Sequence, residues 1–363
     1  MEVSFVRCRD YSNAESAVKE AVKKCGFSSN PKTVLIKPNI LGPYPPERAI
    51  TTHPKIIEAA IRLFPKSRII VGESSGTKTN ISLKVSGIRK AAEDMGAEVI
   101  NFEGQGLKLV KLSNPYVPEV YLPKILFKSD LIVNIPKLKT HSLMKYTGAV
   151  KNLYGCIPGA AKMQIHSAAD NASKLGEVLA DLYSVIRPGL NIMDAVTAMD
   201  GFGPANGNKR ECKIIIASKD AAALDMAVAR MIGLEELLST THILKKGYFN
   251  GKFSIKGHFS PIKFSIPSIN PVSGMSPWLL KLPKHTVEID LGKCTGCETC
   301  IRHCPVKAIS SSFSIDKDKC IQCFCCQELC PANAIRIKKN LWMRAYDLGQ
   351  FLINHARIKL NRY

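Results

Sequence analysis

The 363-residue chain has no uninterrupted apolar run near the roughly 20 residues needed to span a bilayer. Its first ten residues, MEVSFVRCRD, lack the apolar h-region of a secretory signal. Neither a transmembrane nor a secreted protein is expected, and the cytoplasm is the expected location. Nucleotide fingerprints are missing too. There is no G-x-x-x-x-G-K-[ST] phosphate loop, and GQG at 104–106 has Leu109 where a third glycine belongs, so no nucleotide cofactor is evident. No C-x3-C-x2-C run of the radical S-adenosylmethionine kind occurs, which lowers the case for that chemistry. Acidic residues are few: 30 Asp and Glu face 51 Lys and Arg, a formal net charge of +21. That surplus suits nucleic acid, an acidic membrane surface, an anionic substrate or an acidic protein partner, and charge alone does not choose among them.

What is present is a globular composition, 45% hydrophobic, in a chain long enough for one large domain of roughly 200 to 250 residues and a smaller one. Short β-branched runs read as strands: TVLIK (33–37), RIIVG (68–72), AEVINF (97–102), DLIVNI (130–135), LNIM (190–193) and CKIIIAS (212–218). Between them lie helical patterns at 53–64, 82–96, 173–186 and 220–233. Strand and helix in alternation predict an α/β domain over residues 1–250, with a mostly parallel sheet flanked by helices. Residues 251–286 hold several prolines and little periodicity, and read as an extended connector pinned by Trp278 and its neighbouring leucines. A small α+β module is expected at 287–337 and a basic amphipathic helix at 338–363.

Nine of the 13 cysteines fall in the last fifth of the chain. In a reducing compartment, clustered thiols read as metal ligands or redox centres rather than disulfides. Cys294, Cys297, Cys300 and Cys304 follow C-x2-C-x2-C-x3-C with Pro305 next, and Cys320, Cys323, Cys326 and Cys330 repeat the spacing with Pro331 next. This is the bacterial two-cluster ferredoxin pattern, in which the fourth ligand of each cubane comes from the other run. Two [4Fe–4S] clusters are therefore expected, one on Cys294, Cys297, Cys300 and Cys330, the other on Cys320, Cys323, Cys326 and Cys304. A zinc ribbon also uses C-x2-C pairs, but leaves the third cysteines and trailing prolines unexplained. The strands of this module are expected in TVEID, AIS, FSID and AIR. Cys325 aligns with Thr299 and reads as a packed spare, and Cys8, Cys25 and Cys212 as small core residues.

In a parallel α/β sheet, ligands bind beyond the carboxyl ends of the strands. There stand Lys37 and Asn39, Glu73 with Ser74 and Ser75, Asp194, and a long loop bearing Lys137, Lys139, Thr140, His141, Lys145, Lys151 and Asn152, followed by Lys162 and His166. Ammonium groups, hydroxyls and free N–H groups at a helix entrance suit an anion. Lys139, His141 and Glu73 are the expected catalytic residues and the others the substrate-binding set. A solvated basic face, and structural roles for His141 and His166, are the alternatives.

The segments NIPKLKTHSLMKYTGAVKNLYGCIPG, KPNI, GESSG, MDGFGP and SKDAAALDMAVARMIG resemble the domain of unknown function 362 family, over roughly residues 34–235, with a ferredoxin module attached as is common there. The resemblance implies a cytoplasmic iron–sulfur protein, mostly from anaerobic organisms. It supplies no substrate and no catalytic residue.

The tail carries Lys338, Lys339, Arg344, Arg357, Lys359 and Arg362 against Asp347, beside Trp342, Tyr346 and Phe351. Such a helix can lie on an anionic membrane, though packing on its own protein is the commoner use. The leading expectation is a redox enzyme fed by a partner protein and acting on a small anionic substrate. An electron-transfer adaptor that docks an acidic redox partner is the alternative. A nucleic-acid binder is less favoured, since the basic residues sit beside loops rather than on a recognition helix.

Overall fold

The computed structural model describes residues 1–76, 78–159, 161–267 and 285–339. Trp278, and the expected basic tail beyond Lys339, lie outside the described residues. The chain divides into two compact units, Met1–Ile266 and Pro267–Tyr363.

The first unit is built on β1 (Glu2–Arg7), β2 (Thr33–Pro38), β3 (Arg68–Glu73), β4 (Glu98–Asn101), β5 (Leu107–Lys111), β6 (Glu119–Pro123), β7 (Leu131–Ile135), β8 (Lys137–His141), β9 (Lys145–Thr147), β10 (Leu190–Asp200), β11 (Asn208–Ser218) and β12 (Ser254–Gly257). Its main sheet runs β12-β1-β11-β10-β7-β2-β3-β4, with β8 on β10 and β9 on β8, while β5 and β6 form a separate hairpin. Along the main path only β11 runs antiparallel to its neighbours. The sheet is mostly parallel, as its alternating pattern predicts.

The central strands are apolar at nearly every position because both faces are covered. On one face, Leu35, Ile70 and Ile132 pack with α8 (Ala172–Ile186) and α9 (Ala221–Ile232), and on the other Val34, Ile36, Val71 and Val133 pack with α1 (Ala14–Lys24), α2 (Pro54–Arg62) and α4 (Ile88–Asp94). The helix expected at 82–96 is interrupted: α3 (Thr79–Val85) stops before Gly87, whose φ of 73° belongs to the left-handed region, and α4 begins after it. The expected connector begins late. Residues 254–257 add β12 beside β1, Ile262 N–H donates to Met231 O and Phe264 is buried, so packing on the first unit runs to Ile266.

Strands β2, β3 and β4 step outward from the centre in one direction, whereas β7 and β10 lie on the other side of β2. The connections therefore diverge at the carboxyl ends of β2 and β7, where such sheets open a crevice. The short α5 (Ile125–Lys128) leads into β7, and over this point pass α6 (Ala149–Asn152), the turn Leu153–Cys156 and α7 (Ala161–Ala168). One carboxylate anchors it: Asp225 of α9 accepts from Ala149 N–H at 2.7 Å, Val150 N–H at 2.9 Å and Tyr146 Oη at 2.9 Å. After α10 (Leu238–Lys245) and β12 the chain leaves this unit.

In the second unit β13 (His285–Ile289) pairs antiparallel with β14 (Ile335–Lys339), and Ile309 bridges Ile315. TVEID and AIR thus make a sheet, while AIS and FSID meet at a single bridge. Two short helices, α11 (Thr299–Arg302) and α12 (Cys325–Leu329), carry the third cysteine of each run, Cys300 and Cys326.

Asp225→Ala strands three buried donors, each costing about 1–3 kcal/mol. A clear fall in melting temperature by circular dichroism is expected, smaller for Asp225→Asn, which keeps an acceptor. An unchanged melt for both would remove the anchoring role.

Candidate active site and cysteine-lined cavities

The crevice is stitched by amides. Asn39 Nδ2 donates to Asn152 Oδ1 at 2.9 Å, Asn152 Nδ2 to Asn134 Oδ1 at 2.8 Å, and Asn134 Nδ2 to Asn191 Oδ1 at 2.9 Å. The chain of side chains links the ends of β2, β7 and β10 to α6. Asn39 Oδ1 is buried and accepts no hydrogen bond among the described residues.

Beside it lies an ion pair with no solvent contact to speak of. Lys37 Nζ is 2.8 Å from Glu73 Oε2, with side chains 0% and 2% exposed. Gly155 passes directly over the pair, and a Cβ there would collide with Glu73 Oε1 and Lys37 Nζ. Burial pushes the Glu73 carboxyl up, opposed by the Lys37 and Lys162 ammonium groups. Lys162, at the start of α7, donates to Ser74 O, to Ser74 Oγ at 3.1 Å and to Ser75 O at 3.5 Å. The residue is half-buried by area, but its ammonium is enclosed, and that desolvation brings it down to about 8 against the pull of Glu73. Ser74 Oγ donates to Glu103 at 3.0 Å and accepts from Gly159 N–H at 3.1 Å. Glu103 is exposed, so the cluster opens to solvent on that side.

Other expected residues gather in a second group. Lys137 Nζ donates to Asp194 Oδ2 and to Tyr11 Oη, both at 2.8 Å, and Tyr11 Oη reaches Asp194 Oδ1 at 3.1 Å. His53 stacks on Tyr11 with ring centroids 3.6 Å apart, its backbone N–H donates to Asp194 Oδ2 at 2.9 Å, and burial brings its imidazole down to about 4. Lys139 donates to Ile50 O at 2.6 Å, and Thr140 Oγ1 to Gly201 O at 2.7 Å. His141 Nδ1 accepts from Leu143 and Met144 N–H at 3.0 and 3.2 Å, which puts the proton of the neutral ring on Nε2. His166 meets the Tyr154 ring edge-on at 5.4 Å. Lys145 and Lys151 are half-buried. The expected crevice lined with lysines is thus divided: Lys37 and Lys137 face internal carboxylates, and Lys139 and Lys162 carbonyls, while Lys145 and Lys151 keep partial access.

Several participants escape a residue-by-residue reading. Glu103 stands just past the end of β4 and follows from the same strand-end rule. Asn134 is an amide inside an apolar strand, which is itself a signal. Cys156, whose thiol burial pushes up to about 12 beside Lys37 and Glu73, sits in the KNLYGC segment. Tyr11 and His53 carry no local signal, since only folding brings them to Asp194.

In the second unit the eight run cysteines border two cavities, four to each. Cys294, Cys297, Cys300 and Cys330 line one, and Cys304, Cys320, Cys323 and Cys326 the other. The backbone repeats with the sequence. Left-handed residues recur in pairs 26 apart, Gly296 with Gln322, Glu298 with Phe324 and Lys307 with Asn333, as in the N–H nests that hold anionic groups and iron–sulfur centres. Ala308 N–H donates to Cys304 Sγ and Ala334 N–H to Cys330 Sγ, both at 3.2 Å. Four thiols around a cavity, with N–H groups aimed at sulfur, fit a [4Fe–4S] group. Cys8, Cys25, Cys212 and Cys325 are buried.

Residues 34–230 match the family described as domain of unknown function (DUF362), and residues 287–310, which include the first cysteine run, match the 4Fe-4S binding domain. A thylakoid-associated protein of Synechocystis sp. is 30% identical over 207 residues, 56% of this chain and 63% of that protein. The chain thus spans less than two thirds of this relative. Among solved structures, the lactate racemase apoprotein from Thermoanaerobacterium thermosaccharolyticum overlaps 60% of this chain and 53% of its own, at 12% identity and a TM-score of 0.38. A protein from Thermotoga maritima overlaps 58% of this chain and 54% of its own, at 12% identity and a TM-score of 0.36.

Lys37→Met leaves Glu73 buried without its cation, at a cost of about 3–5 kcal/mol. Replacing both, Lys37→Met with Glu73→Met, is expected to recover most of that in urea unfolding. Equal stability of single variant and wild type would show that the pair contributes nothing.

Proposed function

Because the chain belongs to the domain of unknown function 362 family and carries a 4Fe–4S binding domain, we propose that it is an iron–sulfur oxidoreductase acting on a small anionic substrate at the crevice of the first unit. Cys294, Cys297, Cys300 and Cys330 would hold one [4Fe–4S] cluster, and Cys304, Cys320, Cys323 and Cys326 the other. When bound, such clusters supply single electrons, received from or passed to a redox partner protein.

The observation that carries the reading is the Glu73–Lys162 pairing of shifts. A carboxyl pushed up by burial lies near an ammonium brought down to about 8, and groups moved toward neutrality in a cleft are suited to proton transfer. Adding electrons to an organic bond calls for protons as well. A two-electron reduction takes up two: Lys162 donates one, Glu73 passes on the other from solvent at the Glu103 side, and Lys37 holds Glu73 in place. Ser74 Oγ and Gly159 N–H orient the mouth of the site. The half-buried Lys145 and Lys151 draw the substrate's acidic group. Lys139 holds the Ile50 carbonyl and His141 Nδ1 accepts the Leu143 and Met144 N–H groups, so both act by positioning the loops around the site.

Anaerobically purified protein is expected to carry about eight irons and eight sulfides per chain, as two cubanes require. Four irons, or zinc, would overturn the two-cluster assignment.

Dithionite-reduced protein is expected to be reoxidised, followed by visible absorbance, by a member of a panel of small oxo and unsaturated carboxylic acids. Glu73→Gln and Lys162→Met should keep iron and sulfide yet slow that reoxidation about 100-fold. With Lys162 as donor, the rate falls as pH rises through about 8, and Lys162→Arg, whose guanidinium does not release its proton, is slowed like Lys162→Met and loses that limb. Full activity in both variants would remove the crevice assignment.

A further inference from the structure

The β5–β6 hairpin has two unlike faces. Val110, Val120 and Leu122 point into the core of the first unit. Alternation sends Leu107, Leu109 and Tyr121 outward, 39%, 43% and 53% exposed, with Leu109 directly opposite Tyr121. Tyr116 in the loop between the strands is 39% exposed, and Phe127 in α5 40%. Five of the eleven large hydrophobic side chains exposed among the described residues therefore belong to this one segment. Single exposed apolar residues are ordinary, but a concentration of them marks an interaction surface.

The charge around them is mostly positive, with Lys111 opposite Glu119 in the register. Lys108, Lys111, Lys124 and Lys128 are all exposed, and Glu119 is the single acid between residues 105 and 128. The cations ride on the aromatic rings: Lys108 Nζ lies 4.5 Å from the Phe127 centroid, and Lys174 Nζ 4.9 Å from that of Tyr116. Protein interfaces favour arginine and deplete lysine, whereas this segment has four lysines and no arginine. Tyrosine and lysine, each with an apolar body and a polar tip, suit the headgroup level of a bilayer.

We propose that this hairpin, together with Phe127 of α5, docks the protein on an anionic lipid surface. The leucines and aromatic rings enter the boundary between headgroups and acyl chains, and the lysines meet the lipid phosphates. This face is separate from the crevice and does not rest on the proposed chemistry.

The test is co-sedimentation of the anaerobic holoprotein with vesicles of phosphatidylcholine alone or mixed with phosphatidylglycerol. Binding is expected to the mixed vesicles, weakening as salt rises. Lys108→Ala with Lys111→Ala should weaken it about 25-fold, at about fivefold per lysine. Leu109→Ser with Tyr121→Ser should weaken it about tenfold while leaving the melting temperature unchanged, because neither side chain is in the core. The proposal is overturned if the protein stays in the supernatant with mixed vesicles, if it binds neutral vesicles equally well, or if a variant combining these four substitutions binds like wild type. A change of oligomeric state in the hairpin variants with vesicle binding intact would instead assign the face to a second copy of the chain, and also overturns it.

Discussion

The constraint on which the first unit's site depends is the cost of keeping charge away from water. Lys37 and Glu73 sit at the ends of adjacent parallel strands, under a loop whose Gly155 leaves no room for a side chain or a solvent molecule between them. Each group is tolerable there because the other is 2.8 Å away, and neither would be alone. The neighbouring shifts follow from the same enclosure, with Glu73 moved up and Lys162 down. A second pair, Lys137 with Asp194, obeys the same rule one strand further along, and uses Tyr11 and a backbone N–H to occupy the remaining carboxylate positions.

This arrangement changes what the basic composition means. The surplus of cations over the whole chain suggests an open, positively charged crevice, but the deepest lysines are balanced by buried acids or a carbonyl. The anion-attracting part belongs to lysines that keep partial access, and a separate group of lysines lies on the β5–β6 hairpin and α5. The same residue type is thus used in a dry interior, at a site mouth and on an outer face, and its neighbours decide which.

The second unit illustrates a different economy. A 26-residue sequence repeat becomes a backbone repeat, with left-handed residues at matching positions and matching N–H to sulfur bonds. Because the fourth cysteine of each run lines the cavity of the other run, neither half makes its cavity alone. The two halves are also tied by the β13–β14 pairing of the unit's first and last described strands.

Periodicity and spacing by themselves determined the α/β class, the main strands and the eight cysteines, because these are local signals: β-branched runs buried on both faces, and thiols a fixed few residues apart. Strand-end reasoning also brought Lys37, Glu73, Ser74 and Lys162 into one candidate set, since parallel strands must end on the same edge. What it could not distinguish was a lysine facing a ligand from a lysine facing a carboxylate, because Lys37 meets Glu73 and Lys137 meets Asp194 across long stretches of chain. Tyr11, His53 and Asn191 joined the site for the same reason, and Gly87 divided a helix that its apolar spacing reads as continuous. The tertiary structure alone decided those pairings, since only packing fixes which charges lose their water and which groups stand close enough to replace it.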